Sequence, residues 1–155
     1  MPTLAVLLAT LQVWLLGPET VPPEIVASVA DRPGISATVS LSSQRMYVVV
    51  IDKMGLKKTY AWKVSTGREG FATPTGAWKP TWLSLDHRSK TYGDAPMPYA
   101  VFFTGGYAVH ATEAVGLLGR PASHGCVRLA LENAETFFGL VQSYGAQDTR
   151  IEVRA

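Results

Sequence analysis

The feature that most constrains the fold is a series of short strand-like segments separated by turn residues. Residues 35–41 alternate strictly between apolar and polar side chains, which is typical of a strand with one buried face. Residues 45–51 and 57–64 follow after short polar turns, so a meander of hairpins is the simplest arrangement. A chain of 155 residues is long enough to bury its own core, and the pattern predicts a mostly β domain.

Strand character returns further along the chain. Residues 99–103 and 107–110 are rich in apolar and aromatic side chains, and Gly105 and Gly106 between them favour a turn. Residues 149–153 alternate like a closing strand. Because no internal repeat is visible, we expect all of these strands to belong to one domain.

Two segments are predicted to lack regular structure. Residues 73–76, Thr-Pro-Thr-Gly, have the chemistry of a turn. Residues 80–98 have mixed polarity and predict a long loop, which would either be a lid over a site or a mobile surface loop. Three aromatic side chains near this loop could line a substrate groove or pack at the core and its rim: Trp78, Trp82 and Tyr92.

One amphipathic helix is predicted near the end of the chain. Asn133 is a candidate N-cap and Gly145 a candidate stop. The apolar residues between them recur at helical spacing: Ala134, Phe137, Phe138, Val141 and Tyr144.

The N-terminus predicts export. Residues 4–17 form an almost unbroken apolar run of the length of a signal-peptide core, too short to span a bilayer comfortably. Small residues at 28–30 offer a cleavage site, so residues 1–30 would be a signal peptide or anchor plus linker, and residues 31–155 the mature domain. No Lys or Arg precedes the run, so an uncleaved anchor with membrane contact through residues 4–17 stays open.

Charge and cysteine content narrow the function. The formal net charge of +2 is spread along the chain without a basic block, which argues against a nucleic-acid partner. Cys126 is the only cysteine, and an exported chain with one thiol cannot form an internal disulfide. The thiol is therefore a reactive nucleophile, half of an intermolecular disulfide, or a small buried side chain.

Histidine is the natural partner for a thiol nucleophile, because its pKa lies close to neutral pH. His110 ends a strand-like segment, and a returning loop could bring Cys126 beside it. His124 is only two residues from the thiol, although proximity in sequence does not require contact. His87 is expected to be a solvated loop residue. A zinc site of His110, His124 and Cys126 is an alternative by residue type, but the spacing matches no zinc pattern.

Two further neighbours of the thiol have suitable chemistry. Gly125 would allow a substrate to approach the backbone, so the N–H groups of Gly125 and Cys126 could stabilise an oxyanion. Arg128 offers a planar, bidentate donor for a carboxylate.

These residues resemble a known signature. H-A-T at 110–112 and S-H-G-C-V-R at 123–128 are similar to the motif of the L,D-transpeptidase (YkuD-like) catalytic domain. L-S-S-Q-R-M-Y-V-V and V-S-T-G-R-E-G-F-A-T-P-T-G-A-W, upstream, resemble the opening strands and the S-T-G…T-P-T-G segment of that family. The resemblance covers nearly all of residues 35–153 and implies a single β-sandwich-like catalytic domain with one substantial C-terminal helix.

The resemblance also implies roles for the site residues. Cys126 would attack the bond between a diamino acid and the terminal D-alanine of a peptidoglycan stem, with His110 as general base and then acid. The backbone carbonyl at position 111 would hold the His110 ring, although the family usually has glycine where this chain has Ala111. Gly125 and Cys126 would form the oxyanion hole and His124 would shape it. The residues expected to contact or orient substrate are Ser123, Ala111 and Arg128.

The implied reaction needs neither cofactor nor metal and takes place in the periplasm or cell envelope. The expected partners are peptidoglycan stem peptides and an amine acceptor from a neighbouring stem or a wall protein. Two alternatives stay open. The same nucleophile could hydrolyse the bond as a carboxypeptidase or endopeptidase, or the chain could be a noncatalytic wall-binding module.

Overall fold

A computed structural model describes residues 20–155 of the chain. The predicted signal-peptide core at residues 4–17 lies outside the described residues. Among residues 20–155, no helix is both long enough and apolar enough to cross a membrane.

Nine strands and two α-helices make up the described chain. The helices are α1 (Pro23–Ser28) and α2 (Leu131–Tyr144). The strands are β1 (Gly34–Ser40), β2 (Arg45–Ile51), β3 (Lys57–Lys63), β4 (Gly76–Trp78), β5 (Trp82–Arg88), β6 (Pro96–Thr104), β7 (Tyr107–Ala111), β8 (Val127–Leu129) and β9 (Thr149–Arg154). Short 3₁₀ turns at Val115–Leu117 and Ala146–Asp148 complete the elements.

The first sheet has the strand order β3-β2-β1-β9-β4. Strands β1, β2 and β3 pair antiparallel in sequence order, which confirms the predicted meander of hairpins. The closing strand β9 is also confirmed, and it pairs parallel with β1 and antiparallel with β4. Every second side chain of β9 is buried: Thr149, Ile151 and Val153 face the interior, which accounts for the alternation in its sequence.

The second sheet has the order β5-β6-β7-β8, and it corrects one prediction. Residues 80–98 are not one long loop, since β5 and the start of β6 occupy most of the segment. Strand β5 lies at the edge of the sheet and is largely exposed, so it lacks the apolar alternation of a half-buried strand. Pro96 and Pro98 are tolerated because this part of β6 pairs only with β5.

The main core lies between the two sheets and α2. Its largest fully buried side chains include Phe103, Phe137, Met46, Leu129 and Ile151. Two sheets that pack face to face around such a core, with one substantial helix, give the mostly β, sandwich-like fold expected from the sequence.

The C-terminal helix is confirmed, although its start differs from the prediction. Helix α2 begins at Leu131, so Asn133 lies inside the first turn and is not the N-cap. The carbonyl of Ala130 already accepts a hydrogen bond from the Ala134 amide, which starts the helix three residues earlier. Gly145 ends the helix with φ of 88°, as predicted.

Helix α1 covers the outer face of the first sheet. Val21 and Ile25 are buried against Tyr47, Val49 and Ile51. Just after the helix, the Asp31 carboxylate forms an ion pair with the Lys57 ammonium at 2.7 Å. Residues 21–29, which belong to the segment predicted to be a leader or linker, therefore pack on the first sheet.

Candidate active site

The chemistry-bearing residues lie on the outer face of the second sheet. Strands β7 and β8 run parallel, and Val109 is paired with Val127 while His110 is paired with Arg128. The two valines point into the core, so alternation places His110 and Arg128 on the opposite face. Cys126 precedes β8 and packs on that face beside Ala108. This arrangement brings the predicted thiol and histidine to one side of the sheet.

A cavity of about 940 Å³ opens over this face. Its wall includes Cys126, His110 and Arg128, together with Ser123, His124 and Ala111 from the predicted set. The loop between β5 and β6 forms another part of the wall through Ser89, Thr91, Tyr92 and Ala95. The loop between β5 and β6 therefore borders the cavity.

His110 is held in one tautomer by the backbone. Its side chain is buried, with 6% of its surface exposed, and its Nδ1 lies 2.7 Å from the carbonyl oxygen of Ala111. A carbonyl only accepts hydrogen bonds, so Nδ1 carries the hydrogen and Nε2 is left with the lone pair. Burial, with a smaller contribution from the Arg128 charge, lowers the pKa of His110 from 6.5 to about 4. The ring is therefore neutral at neutral pH.

Ala111 acts through its carbonyl group. Its methyl group packs in the main core, and its φ is not in the left-handed region. The alanine at this position therefore causes no backbone strain, because nothing in the observed conformation requires glycine.

Cys126 is partly buried and its thiol is stabilised in the neutral form. Burial raises the pKa of Cys126, and the Ala108 backbone and the Arg128 charge partly offset this effect. The Sγ–H group donates to the carbonyl of Gly106 at 3.9 Å. With the His110 pKa lowered and the Cys126 pKa raised, the resting pair is a neutral imidazole and a neutral thiol.

The turn that presents Cys126 is held by two hydroxyl groups. Ser123 Oγ accepts a hydrogen bond from the Gly125 N–H at 3.0 Å and donates to the Cys126 carbonyl at 2.6 Å. Thr73 Oγ1 donates to the Gly125 carbonyl at 2.7 Å. The hydroxyl hydrogen of Ser123 is donated within the turn, so Ser123 helps to position Cys126, and the substrate contact expected for Ser123 stays a prediction.

Gly125 has a conformation that a side chain would disturb. Its φ is 120°, and a Cβ atom there would overlap the Tyr107 ring. Its N–H group points to Ser123 Oγ, so it is not free in this conformation for the predicted oxyanion hole. The Cys126 N–H is then the remaining backbone donor of the predicted pair.

His124 lies within an aromatic stack that joins two loops. Its ring stacks on Tyr92 with centroids 4.1 Å apart and an interplanar angle of 10°. On another side it meets Phe71 edge-on at 4.9 Å, and the Arg68 guanidinium lies over the Phe71 ring at 4.5 Å. Desolvation and the charges of Arg68 and Arg128 lower the pKa of His124. His124 therefore shapes the cavity wall through ring packing.

One acidic side chain lines the cavity. Glu113 follows Thr112 just beyond the His110 strand, and it is exposed. No ion pair involving Glu113 occurs in the part of the chain that the structure describes. Glu113 and Arg128 thus give the cavity wall one acidic and one basic side chain.

The sequence profile of the L,D-transpeptidase catalytic domain, YkuD, matches residues 35–153, which include every catalytic candidate. The chain belongs to the L,D-transpeptidase catalytic domain family. Among curated proteins, no significant match was found.

Solved L,D-transpeptidase structures share this fold. The enzyme from Stackebrandtia nassauensis is 26% identical with a TM-score of 0.68, and the alignment covers 83% of this chain and 60% of that one. An enzyme from Mycobacterium tuberculosis is 24% identical with a TM-score of 0.68, covering 79% and 58%. Residues 123–326 of the enzyme from Xylanimonas cellulosilytica are 23% identical with a TM-score of 0.60, covering 86% and 71%. This chain therefore spans about three fifths of the length of the first two enzymes.

Several residues of this L,D-transpeptidase domain differ from their predicted surroundings. His87 lies on β5, where it contacts Trp82 and Phe102 edge-on, and not in a loop. Trp78 packs on Phe103 beside the core, whereas Tyr92 lines the cavity. Within residues 20–155, no group of three or more His, Cys, Asp or Glu side chains is arranged to hold a metal ion, so the zinc alternative has no ligand set there.

Four contributors to the site are not among the site residues predicted from the sequence. Thr73 lies in the turn predicted at residues 73–76, and its hydrogen bond to Gly125 joins two segments so far apart in the sequence that no local pattern indicates the contact. Tyr107, Phe71 and Glu113 reach the site only through the fold. The S-T-G…T-P-T-G resemblance was the one signal pointing to the Thr73 segment.

Proposed function

We propose that this domain is a peptidoglycan L,D-transpeptidase in which Cys126 is the nucleophile and His110 the general base. The observation that carries the proposal is the hydrogen bond from His110 Nδ1 to the Ala111 carbonyl. Because it leaves Nε2 as a proton acceptor on the face that holds Cys126, the ring has the tautomer a base needs.

The first half of the reaction forms a thioester. The Sγ–H proton moves to His110 Nε2 as Sγ attacks the carbonyl carbon between the diamino acid and the terminal D-alanine. When the tetrahedral intermediate collapses, the C–N bond breaks and His110 returns the proton to the departing amine. D-Alanine leaves, and the acyl group remains on Cys126. Starting from two neutral groups avoids a buried charge in the resting enzyme.

Charge that develops during the attack has two candidate stabilisers. The Cys126 N–H is the remaining member of the predicted oxyanion pair, since the Gly125 N–H is used by Ser123. Arg128 lies opposite His110 in the register of β7 and β8 and lines the same cavity. Its guanidinium group supplies positive charge near the thiol and a bidentate donor for a substrate carboxylate.

The second half of the reaction transfers the acyl group to an amine. Glu113 supports an amine acceptor over water, because an exposed carboxylate at the cavity wall attracts an ammonium group and leaves water unaffected. The bound ammonium group first loses one proton to solvent, and the neutral amine then attacks the thioester carbonyl while His110 Nε2 takes a second proton. As the new amide bond forms, the C–S bond breaks and His110 returns this proton to Cys126 Sγ, which restores the neutral pair. The thioester keeps the energy of the original amide bond for transfer, so the exchange requires no nucleotide.

Product analysis of the full chain tests this proposal. We expect wild-type protein incubated with a disaccharide tetrapeptide to release D-alanine and to form a cross-linked dimer. Cys126→Ala should give neither product, and Glu113→Gln should shift the products from dimer towards the hydrolysed tripeptide. A folded wild-type protein that releases no D-alanine would contradict the proposal. Tripeptide alone from the wild type would favour the hydrolase instead.

A further inference from the structure

An exposed tryptophan stands on the same sheet face as Cys126, outside the cavity. Trp82 of β5 lies flat on Phe102 of β6, with ring centroids 4.2 Å apart and an interplanar angle of 5°. Phe102 is only 3% exposed, whereas Trp82 is 47% exposed. One face of the indole therefore rests on a buried ring and the other is open to solvent.

His87 fixes this arrangement from the side. Its ring meets Trp82 edge-on at 5.3 Å and Phe102 edge-on at 4.9 Å. A ring packed on one face and along one edge has little freedom to rotate. The three side chains together form an aromatic platform, Trp82, His87 and Phe102, with a polar imidazole beside a flat apolar face.

The platform is continuous with the catalytic side of the sheet. Trp82 is paired with Phe102, and Phe102 with Ala108, which lies beside Cys126. Three strand spacings separate Trp82 from Cys126, or about 14 Å. Along the surface, His87 is paired with Met97, and Met97 lines the cavity.

This separation matches the size of the substrate class. Three to four extended residues span about 10–14 Å. A stem peptide acylated on Cys126 and extended across the sheet would therefore bring the sugar at its other end to β5.

We propose that the Trp82 platform binds the glycan that carries the stem peptide. The inference rests on the proposed function of Cys126 and names a second contact for the same substrate. A pyranose ring presents a face of C–H groups to the indole, and its hydroxyl or acetamido groups reach the His87 imidazole. In residues 20–155 no Lys or Arg lies over the Trp82 ring, so its open face carries no competing cation contact.

The first experiment compares two substrates in the full-length enzyme. We expect wild-type kcat/KM for D-alanine release to be about tenfold higher with a disaccharide tetrapeptide than with the free tetrapeptide. Trp82→Ala should bring this ratio close to one, and Trp82→Tyr should restore most of it. Leu85→Ala, an exposed apolar side chain on the same strand, is the matched control and should keep the wild-type ratio. An unchanged ratio in folded Trp82→Ala would overturn the proposal.

The second experiment measures binding without catalysis. In the Cys126→Ala protein, the disaccharide without its peptide should shift the indole N–H resonance assigned to Trp82, and the shift should be absent in Cys126→Ala/Trp82→Ala. Because this readout needs no reaction, it separates failure of the platform from failure of the proposed function. If the disaccharide shifts no Trp82 resonance, or if Trp82→Ala instead changes the oligomeric state, the platform is not a sugar site.

Discussion

The His110 ring is oriented by the carbonyl of its own chain neighbour, Ala111, at 2.7 Å. A backbone acceptor cannot be removed by mutation of a side chain, and it carries no formal charge. The ring is therefore fixed in one tautomer without a carboxylate, and its pKa is not raised by an anion at that position. This explains how a buried histidine stays neutral and available as a base.

Ala111→Gly should preserve activity at some cost in stability. The carbonyl remains, so we expect kcat/KM within about threefold of wild type. Loss of a buried methyl group and added backbone freedom should lower the free energy of unfolding by about 1–2 kcal/mol. Ala108→Gly, equally buried on the same strand, is the control for stability. Loss of activity in folded Ala111→Gly would show that the methyl group itself orients the ring.

Burial of neutral His110 should make stability depend on acid pH. His110 binds a proton near pH 6.5 in the unfolded chain and only near pH 4 in the folded chain. The contribution of His110 to the free energy of unfolding is therefore fully present above pH 6.5 and is lost as the pH falls towards 4. The loss should be about 3 kcal/mol in the free energy of unfolding.

Urea denaturation at pH 7.5 and pH 4.5 measures this effect. His110→Gln should show a smaller decrease between the two pH values than the wild type, because His124 and His87 remain in both proteins. Equal decreases in the two proteins would contradict a depressed His110 pKa. The acid limb of the activity profile should likewise lie well below pH 6.5.

Gly125→Ala should impair both the fold of the turn and the reaction. The new Cβ would overlap the Tyr107 ring at a φ of 120°, so the turn must shift and carry Cys126 with it. We expect kcat/KM to fall about 100-fold and the free energy of unfolding by about 1–3 kcal/mol. Gly139→Ala in α2 meets no atom within 4 Å and is the control, expected to be neutral or stabilising. Normal kinetics in Gly125→Ala would show that the turn tolerates a side chain.

Ile25→Ala tests whether α1 belongs to the folded domain. Ile25 packs against the outer face of the first sheet, so its truncation should lower the free energy of unfolding by about 2–4 kcal/mol. Glu24→Ala, on the exposed side of the same helix, should change it by less than about 0.5 kcal/mol. Equal free energies of unfolding in the two variants would mean that α1 does not stabilise the domain. That result would agree with the predicted cleavage after Ala30, which would remove the helix.

Strands with one buried face could be predicted from the sequence. The alternation in residues 35–41 and 149–153 comes directly from burial in the first sheet, and both segments are strands. Strand β5 escaped prediction because its edge position leaves both faces largely exposed, which removes the alternation. The start of α2 is not visible in the sequence, because the residue at its N-cap, Ala130, makes no side-chain hydrogen bond to the helix.

The sequence was less informative about how the site is assembled. The expectation that a returning loop could bring Cys126 beside His110 fits the structure, because His110 lies on β7 and Cys126 immediately precedes the neighbouring strand β8. Occupation of the Gly125 N–H by Ser123 depends on the exact geometry of the turn. The stack of Tyr92 on His124 joins loops that are 32 positions apart, and no local pattern encodes such a contact.

The most direct test of the account is intact-protein mass spectrometry of the full chain, quenched during turnover of a disaccharide tetrapeptide. The account predicts a covalent adduct with the mass of the substrate less D-alanine, mapped by peptide digestion to Cys126 and absent in Cys126→Ala. An adduct on another residue, or D-alanine release by Cys126→Ala at the wild-type rate, would contradict it.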